Sequence, residues 1–533
     1  MSRTTTLLPA LLVLAALSCP GPARAQAGHQ LPDIGSSAAS LISPAEERAY
    51  AARMMGDLRQ LGLLLEDPLL VEWVQSLGHR LAAFSDRPEQ PFRFFLVRSR
   101  EINAFAYLGG HIGLNAGLVL TAEREDEVAA VLAHEIAHAT QRHIVRSVEA
   151  AQRDSLPILL GMLGALAAAQ SSNSSSAADA SQAAIAGGIA LLQQRQINYT
   201  RANEHEADRI GIQILARAGY DPLAMADFFD RMLRATRSQG DSTPDFLRTH
   251  PVTTTRISEA KDRATELARL PASPEAVSNE PLHPALPSRV HGSVLLRQGP
   301  DPLGFRLARE RIRVLSADSP ALALAEYRRR MRAGETLDPA ERYGMALALT
   351  LSASSEEALD LLDPLLRRYP QRTWLELAHA EALERDGRRE RADAAFSRLL
   401  ERHPGNRAIA LSYAALLAAR GSREAGLAAQ AVLRPLLATD PADVHVQLGF
   451  ARACEQAGDL TRAAEAYAEA AFLSGRAEDA LNQLQRLKQR EDLDYVQRAR
   501  IDARIAEITP IVLELHERGI RAGSPRGPGA APS

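Results

Sequence analysis

Cysteine is almost missing from this 533-residue chain: Cys19 and Cys454 are the two present. Cys19 lies in a stretch that reads as a removable export leader. Arg3 gives a positive start, Leu7 to Leu17 an apolar run, and Ala23-Arg24-Ala25 a small-residue cleavage site before Gln26. Residues 1–25 are therefore expected to be lost. The mature chain then keeps one thiol and no internal disulfide, so its folds must hold by core packing. Ala16-Leu17-Ser18-Cys19 has a distant likeness to a lipoprotein box, with its leucine out of place.

A charge excess is missing as well. The formal net charge is −3, which gives no reason to expect nucleic acid as a partner. Long apolar runs are also lacking. The leader's run is too short to span a bilayer, and no later stretch forms a transmembrane segment. With 46% hydrophobic residues, the chain can still bury sizeable cores, and its length suits about three units.

What is present centres on Val131-Leu132-Ala133-His134-Glu135-Ile136-Ala137-His138. Two histidines four apart lie on one face of a helix, so both imidazoles can hold one metal ion. The glutamate between them is placed to act as a general base, which is the mechanical content of H-E-x-x-H. Asp126 to His143 contains no Gly or Pro and reads as one buried helix, with Thr121 to Glu127 capping and acidifying its start.

Upstream, Ser43-Pro44-Ala45-Glu46 begins a helix reaching about Leu65, and Pro68 to Phe84 forms another. Phe92 to Val97 reads as a strand. Ile102 to Leu108 reads as a second strand, turned by Gly109-Gly110 into His111 to Leu114. A strand beside a metal helix can pair its free edge with an extended peptide; an ordinary hairpin is the alternative.

Downstream, Leu156–Ala169 and Ala183–Leu192 flank a Ser-rich stretch. They read as a helical hairpin that covers the site or touches a membrane or partner, or else as packed core helices. Asn203 to Asp208 follows. A catalytic zinc needs a third protein ligand, and Glu204 and Asp208 share a helical face. Glu204 is the candidate ligand, and Asp208 the carboxylate that accepts a ligand histidine's N–H. Glu206 points away, toward solvent or a salt bridge. His205 reads as a surface residue and His143 as structural, off the ligand face. His250, on a loop after the helix Leu223–Thr236, either assists catalysis or occupies the open coordination site. Arg256 either binds a ligand carboxylate or stabilises an oxyanion. Val252 to Arg269 forms the next helix.

Pro271, Pro274, Pro281, Pro284 and Pro287 mark a stiff linker, placed at 271–300. Beyond it the chain repeats. Pro370 and Pro404 are 34 apart, as are Gly387 and Gly421, Leu377 and Leu411, and Ala358 and Ala392. Pro441, Gly458 and Leu448 follow 37 residues after their predecessors. That is the tetratricopeptide period. The expected architecture is mainly α: a zincin-type α+β metallopeptidase domain over 43–270, then an α-solenoid over 301–508. Residues 523–533 read as a disordered tail.

Together, His134-Glu135-x-x-His138, Glu204-x-x-Ala207-Asp208, and His250-Pro251 with Arg256, in an exported chain ending in repeats, resemble the periplasmic gluzincins. The closest likeness is to the β-barrel assembly-enhancing protease family, from Ser43 to about Arg490. The resemblance implies one Zn²⁺ per chain on His134, His138 and Glu204, with Glu135 as base. It makes Asn103, Ala104 and Phe105 a substrate-edge strand. It also implies proteolysis of misassembled outer-membrane proteins in the periplasm, help to those still assembling, and repeats that bind substrate or the assembly machinery. A different class remains: a repeat-based chaperone or scaffold whose zinc site is closed or mainly structural. A zinc aminopeptidase ranks low, since its acidic anchor would have to be Glu206.

Overall fold

The computed structural model describes residues 42–153, 155, 158, 160, 177–238, 245–269 and 300–517. The leader, most of the proline-rich linker and the C-terminal tail lie outside them.

The N-terminal unit starts with α1 (Pro44–Gln60), where Ser43 and Glu46 close a reciprocal capping box. Helix α2 (Pro68–Ala82) is capped by Asp67, whose carboxylate accepts the Leu70 N–H. A three-stranded sheet follows in the order β1 (Arg93–Val97), β3 (His111–Asn115), β2 (Ala104–Tyr107). β2 runs antiparallel to β3, pairing Ala104 with Leu114 and Tyr107 with His111, and β1 runs parallel to it. The turn between β2 and β3 has both glycines at positive φ (65° and 74°). At Gly110 a Cβ would lie 2.1 Å from the Pro91 carbonyl oxygen, so no other residue fits. β2 is left as an edge strand, and it packs beside α4.

After the short α3 (Ala116–Thr121) comes α4 (Glu125–Thr140), the helix bearing the H-E-x-x-H residues. Thr121 does not cap it: Arg124 is the N-cap residue, without a side-chain bond, and the Thr121 hydroxyl donates to the Gly117 carbonyl. Three acids in the first turn tie the helix down instead. Glu125 accepts from the Trp73 indole and the Asp301 N–H, Asp126 from the Asp221 N–H, and Glu127 from the Glu123 N–H and Arg231. They also complement the positive end of the helix dipole.

The helix ends earlier than expected. It stops at Thr140, Arg142 adopts φ 53°, and a new helical stretch starts at 143. The second apolar segment, Ala183–Leu192, is not a separate helix. It forms part of α5 (Ala177–Arg217), 41 residues long, which also carries Glu204 and Asp208. Most of the expected hairpin's first arm and its Ser-rich turn fall outside the described residues. No described helix is long and apolar enough to cross a membrane. α6 (Ala224–Ser238), α7 (Asp245–Thr249) and α8 (Thr254–Arg269) complete this unit.

Helix α9 (Pro302–Leu315) serves two cores. Phe305, Ala308 and Ile312 pack into the N-terminal core, while Leu307 and Val314 face the next one. Eleven further helices, α10 to α20, stack as a solenoid from Pro320 to Glu517. Gly387, Gly421 and Gly458 each end a helix at φ between 72° and 82°, where a left-handed residue closes the last turn. The 37-residue spacing has a simple cause. The helix Arg423–Thr439 has 17 residues where its counterpart Arg389–Arg402 has 14.

The solenoid grips the N-terminal unit. Leu69 of α2 inserts among Leu377, Ala380, Phe396, Leu399 and Ile409. Farther along, Gly475 lies so close to α1 that a Cβ would come within 2.2 Å of the Ala52 methyl.

Candidate active site

Helix α4 presents His134, Glu135 and His138, and α5 crosses it to supply Glu204. The crossing is close because residue 211 is glycine: a Cβ there would lie 3.1 Å from the His134 backbone nitrogen. Gly211 is seven residues, two turns, beyond Glu204, so it sets the approach of the face carrying Glu204 and Asp208. His250 comes from the end of α7, where its N–H bonds the Phe246 carbonyl at 2.7 Å and its ring stacks on Phe246.

Four ligand-type atoms converge. His134 Nε2 lies 3.0 Å from His138 Nε2 and 3.5 Å from Glu204 Oε2. His138 Nε2 is 3.3 Å from Glu204 Oε1. His250 Nδ1 is 3.0 Å from Glu204 Oε1 and 3.4 Å from His134 Nε2. All four residues offer atoms within 4.8 Å of one another. A tetrahedron with metal–nitrogen arms of about 2.0–2.1 Å has edges of about 3.3–3.4 Å, so these separations fit one small divalent ion. The donor set also fits. Two imidazole nitrogens facing each other need something between them, and the buried Glu135 Oε1 has no hydrogen-bond partner among the described residues.

Electrostatics ask for a cation. Burial pushes His134 down, but Asp208 and Glu204 overturn this and raise its pKa to about 10. Burial lowers His138. Glu204 is held well below the ordinary carboxylate range: burial opposes ionisation, but His250, His134 and His138 outweigh it. Asp208 is likewise lowered despite burial, through Arg256 and His134.

The other expected residues are placed as follows. Asp208 Oδ1 lies 3.0 Å from His134 Nδ1, in a bent approach off the line of a straight hydrogen bond. Arg256 donates to Asp208 through Nε (2.7 Å) and Nη2 (2.8 Å), and its Nη1 faces Glu204 Oε2 (2.9 Å) and the Pro251 carbonyl (2.8 Å). Of its two expected roles, the geometry offers carboxylate binding. Its N–H groups are turned to these partners rather than toward an oxyanion beside Glu135. His250 Nε2 stands 3.6 Å from Glu135 Oε1, between the ligand set and the base. Ala104 and Phe105 lie on edge strand β2, and Asn103 just precedes it, its carbonyl accepting the Asn115 N–H. His205 is a surface residue, 3.0 Å from Glu259.

Two residues set aside in the sequence belong to the site's surroundings. His143 Nδ1 is 2.9 Å from His138 Nδ1, and its Nε2 is 3.1 Å from Glu206 Oε2. Glu206 does make a salt bridge, to Arg146 at 3.2 Å, but it also turns inward to His143. A continuous helix would have carried His143 off the ligand face. The left-handed Arg142, bonded to Glu47, turns the chain back. Arginine carries no sequence signal for positive φ, so nothing before the fold marks this reversal.

Residues 68–264 match the model of peptidase family M48. The β-barrel assembly-enhancing protease of Yersinia pestis is 32% identical over 508 residues, covering 94% of this chain and 97% of its own. That of Escherichia coli K12 is 30% identical over 489 residues, 91% of this chain and 93% of its own. A mitochondrial metalloendopeptidase of Schizosaccharomyces pombe is 28% identical over 190 residues, 36% of this chain and 52% of its own. With this site and these matches, the chain is a metalloendopeptidase and belongs to peptidase family M48, among the β-barrel assembly-enhancing proteases.

Proposed function

We propose that this chain is a periplasmic zinc endopeptidase that cuts misfolded or misassembled outer-membrane proteins and assists those still assembling. Its tetratricopeptide-type repeats hold substrate or assembly partners. The observation that carries the reading is the set of converging donors beside a sheet edge: His134, His138 and Glu204 around one point, Glu135 next to it, β2 alongside. The relatives' description as β-barrel assembly-enhancing proteases supports the substrate class.

In this reading one Zn²⁺ sits on His134, His138 and Glu204; when bound it supplies Lewis acidity and lowers the pKa of water to about 7. The free edge of β2, at Asn103, Ala104 and Phe105, pairs with an extended peptide and fixes the scissile bond. Glu135, with Oε1 unpartnered, takes the proton of the attacking water and returns it to the leaving amine. Arg256 locks Glu204 and Asp208 in place, and Asp208 orients His134. His250 would offer a further donor to the ion, and its ring would have to swing aside before a carbonyl could approach. That placement also favours the second reading, a chaperone or scaffold with a closed site.

Purified mature protein and its Glu135→Gln variant decide between them. We expect one zinc in both. Cleavage of an unfolded outer-membrane β-barrel protein should fall roughly 10²–10⁴-fold in the variant. Zinc without cleavage in either supports the scaffold, unless His250→Ala releases activity. No zinc in either sinks both readings.

A further inference from the structure

A metal-bound histidine uses one ring nitrogen for the ion, and the partner of the other nitrogen sets its tautomer and orientation. Both candidate ligand histidines turn Nε2 to the centre. Each Nδ1 must then carry the proton and find an acceptor. For His134 the nearby atom is a carboxylate oxygen of Asp208. For His138 it is the Nδ1 of another histidine, His143, at 2.9 Å.

That fixes the tautomers along a line. His138 Nδ1–H donates to His143 Nδ1, so the proton of His143 sits on Nε2, which points at Glu206 Oε2, 3.1 Å away. Glu206 is held in turn by Arg146. The relay is asymmetric with the other ligand: His134 has a carboxylate directly behind it, whereas His138 has an imidazole with a carboxylate behind that. His143 is buried (3% exposed), so water does not compete for the contact. The backbone is bent to make it. Arg142 at φ 53°, bonded through its side chain to Glu47, reverses the chain directly after α4. A left-handed non-glycine residue is strained and persists where the surroundings hold it.

We infer that His143, backed by Glu206, is a positioning residue for the metal ligand His138. It accepts the Nδ1–H of His138, fixes the ring plane and keeps Nε2 free for the ion. The inference rests on the metal-centre reading above. Because Glu206 lies on α5 and His143 on the stretch after α4, the same contacts tie together the two elements that supply the ligands.

Metal affinity tests it, without reference to turnover. Full mature protein is titrated with Zn²⁺ against a chelating indicator, and with Co²⁺ while its visible absorption is recorded. His143→Leu, which keeps bulk and removes the acceptor, should weaken zinc binding about 10–100-fold and shift the Co²⁺ bands. His143→Asn offers an amide oxygen near the place of Nδ1, and should restore affinity to within about threefold of the parent along with the parental spectrum. Should His143→Leu not fold, Glu206→Ala replaces it, since Glu206 is partly exposed; a loss of about threefold or more is expected. Parental affinity and spectrum in His143→Leu, or in Glu206→Ala where that replaces it, would overturn the inference, as would an Asn variant as damaged as Leu. Failure of the parent itself to take up metal would instead overturn the metal-centre reading.

Discussion

Arg311 and Arg256 each meet acids in the interior, and the two places are finished differently. At the seam between the N-terminal unit and the solenoid, Arg311 bonds both oxygens of Asp67 (2.8 and 2.6 Å) and the Tyr343 hydroxyl (3.2 Å), with Glu381 at 3.6 Å. Asp67 also caps α2. At the candidate active site, Arg256 holds Asp208 and Glu204 with similar geometry, yet the set does not close. Two imidazole nitrogens face each other, and Glu135 keeps an unpartnered oxygen. Both sites are buried and both are charged. What separates structure from chemistry is the donor or acceptor left over, because an unsatisfied buried polar group is costly unless a ligand completes it.

The largest effect should come from breaking the closed site. Arg311→Ala strands Asp67 and Glu381 in the interior and should destabilise the protein by about 3–5 kcal/mol. Denaturant unfolding measures this against the parent, and the deficit should be the same with and without added zinc, since zinc stabilises both folded proteins alike. A deficit that shrinks with zinc would mean that the two regions are energetically one. Next is Gly211→Val, which puts a branched side chain against the His134 backbone. Overpacking there should cost about 1–3 kcal/mol and also loosen metal binding, since α5 is pushed off α4. A stability loss with unchanged metal affinity would show that the Glu204 approach does not depend on this crossing.

The smallest effect belongs to a closed pair within the solenoid. Asp443 accepts from Arg407 and from the His445 and Val446 N–H groups. Burial works against its ionisation, but Arg407 and these bonds win and lower its pKa to about 2. A depressed carboxylate contributes stability that is full above its unfolded pKa of about 4 and lost as pH falls through about 2. Asp443→Asn should therefore cost about 1–2 kcal/mol at pH 7 and flatten the acid dependence between roughly pH 4 and 2. An unchanged acid limb in unfolding experiments would show that the pair contributes nothing.

Much of this architecture was legible in the residues themselves. The repeat period foretold the solenoid's turns because each repeat makes the same local demands: glycine where a helix closes left-handed, small apolar residues where helices pack. Gly387, Gly421 and Gly458 meet the first demand, and Ala358 and Ala392 the second. The i, i+4 spacing of His134 and His138, and of Glu204 and Asp208, likewise put each pair on one face, since helical geometry is local. Local patterns of this kind lose force where local and distant forces compete. Thr121 looked like a cap, yet α4 is anchored by Glu125, Asp126 and Glu127 bonding to chain far away in sequence.

By itself, then, the sequence determined which side chains share a helical face, where the repeats turn, and that the chain carries metalloprotease chemistry. Only the tertiary structure decided that His143 and Glu206 stand behind His138, that Arg256 clamps two carboxylates, and that His250 stands between the ligands and Glu135. The reason is physical. Spacing along a helix follows from backbone geometry, whereas a left-handed arginine, a close helix crossing at Gly211 and a loop histidine are stabilised by neighbours remote in the chain, and no local pattern encodes them.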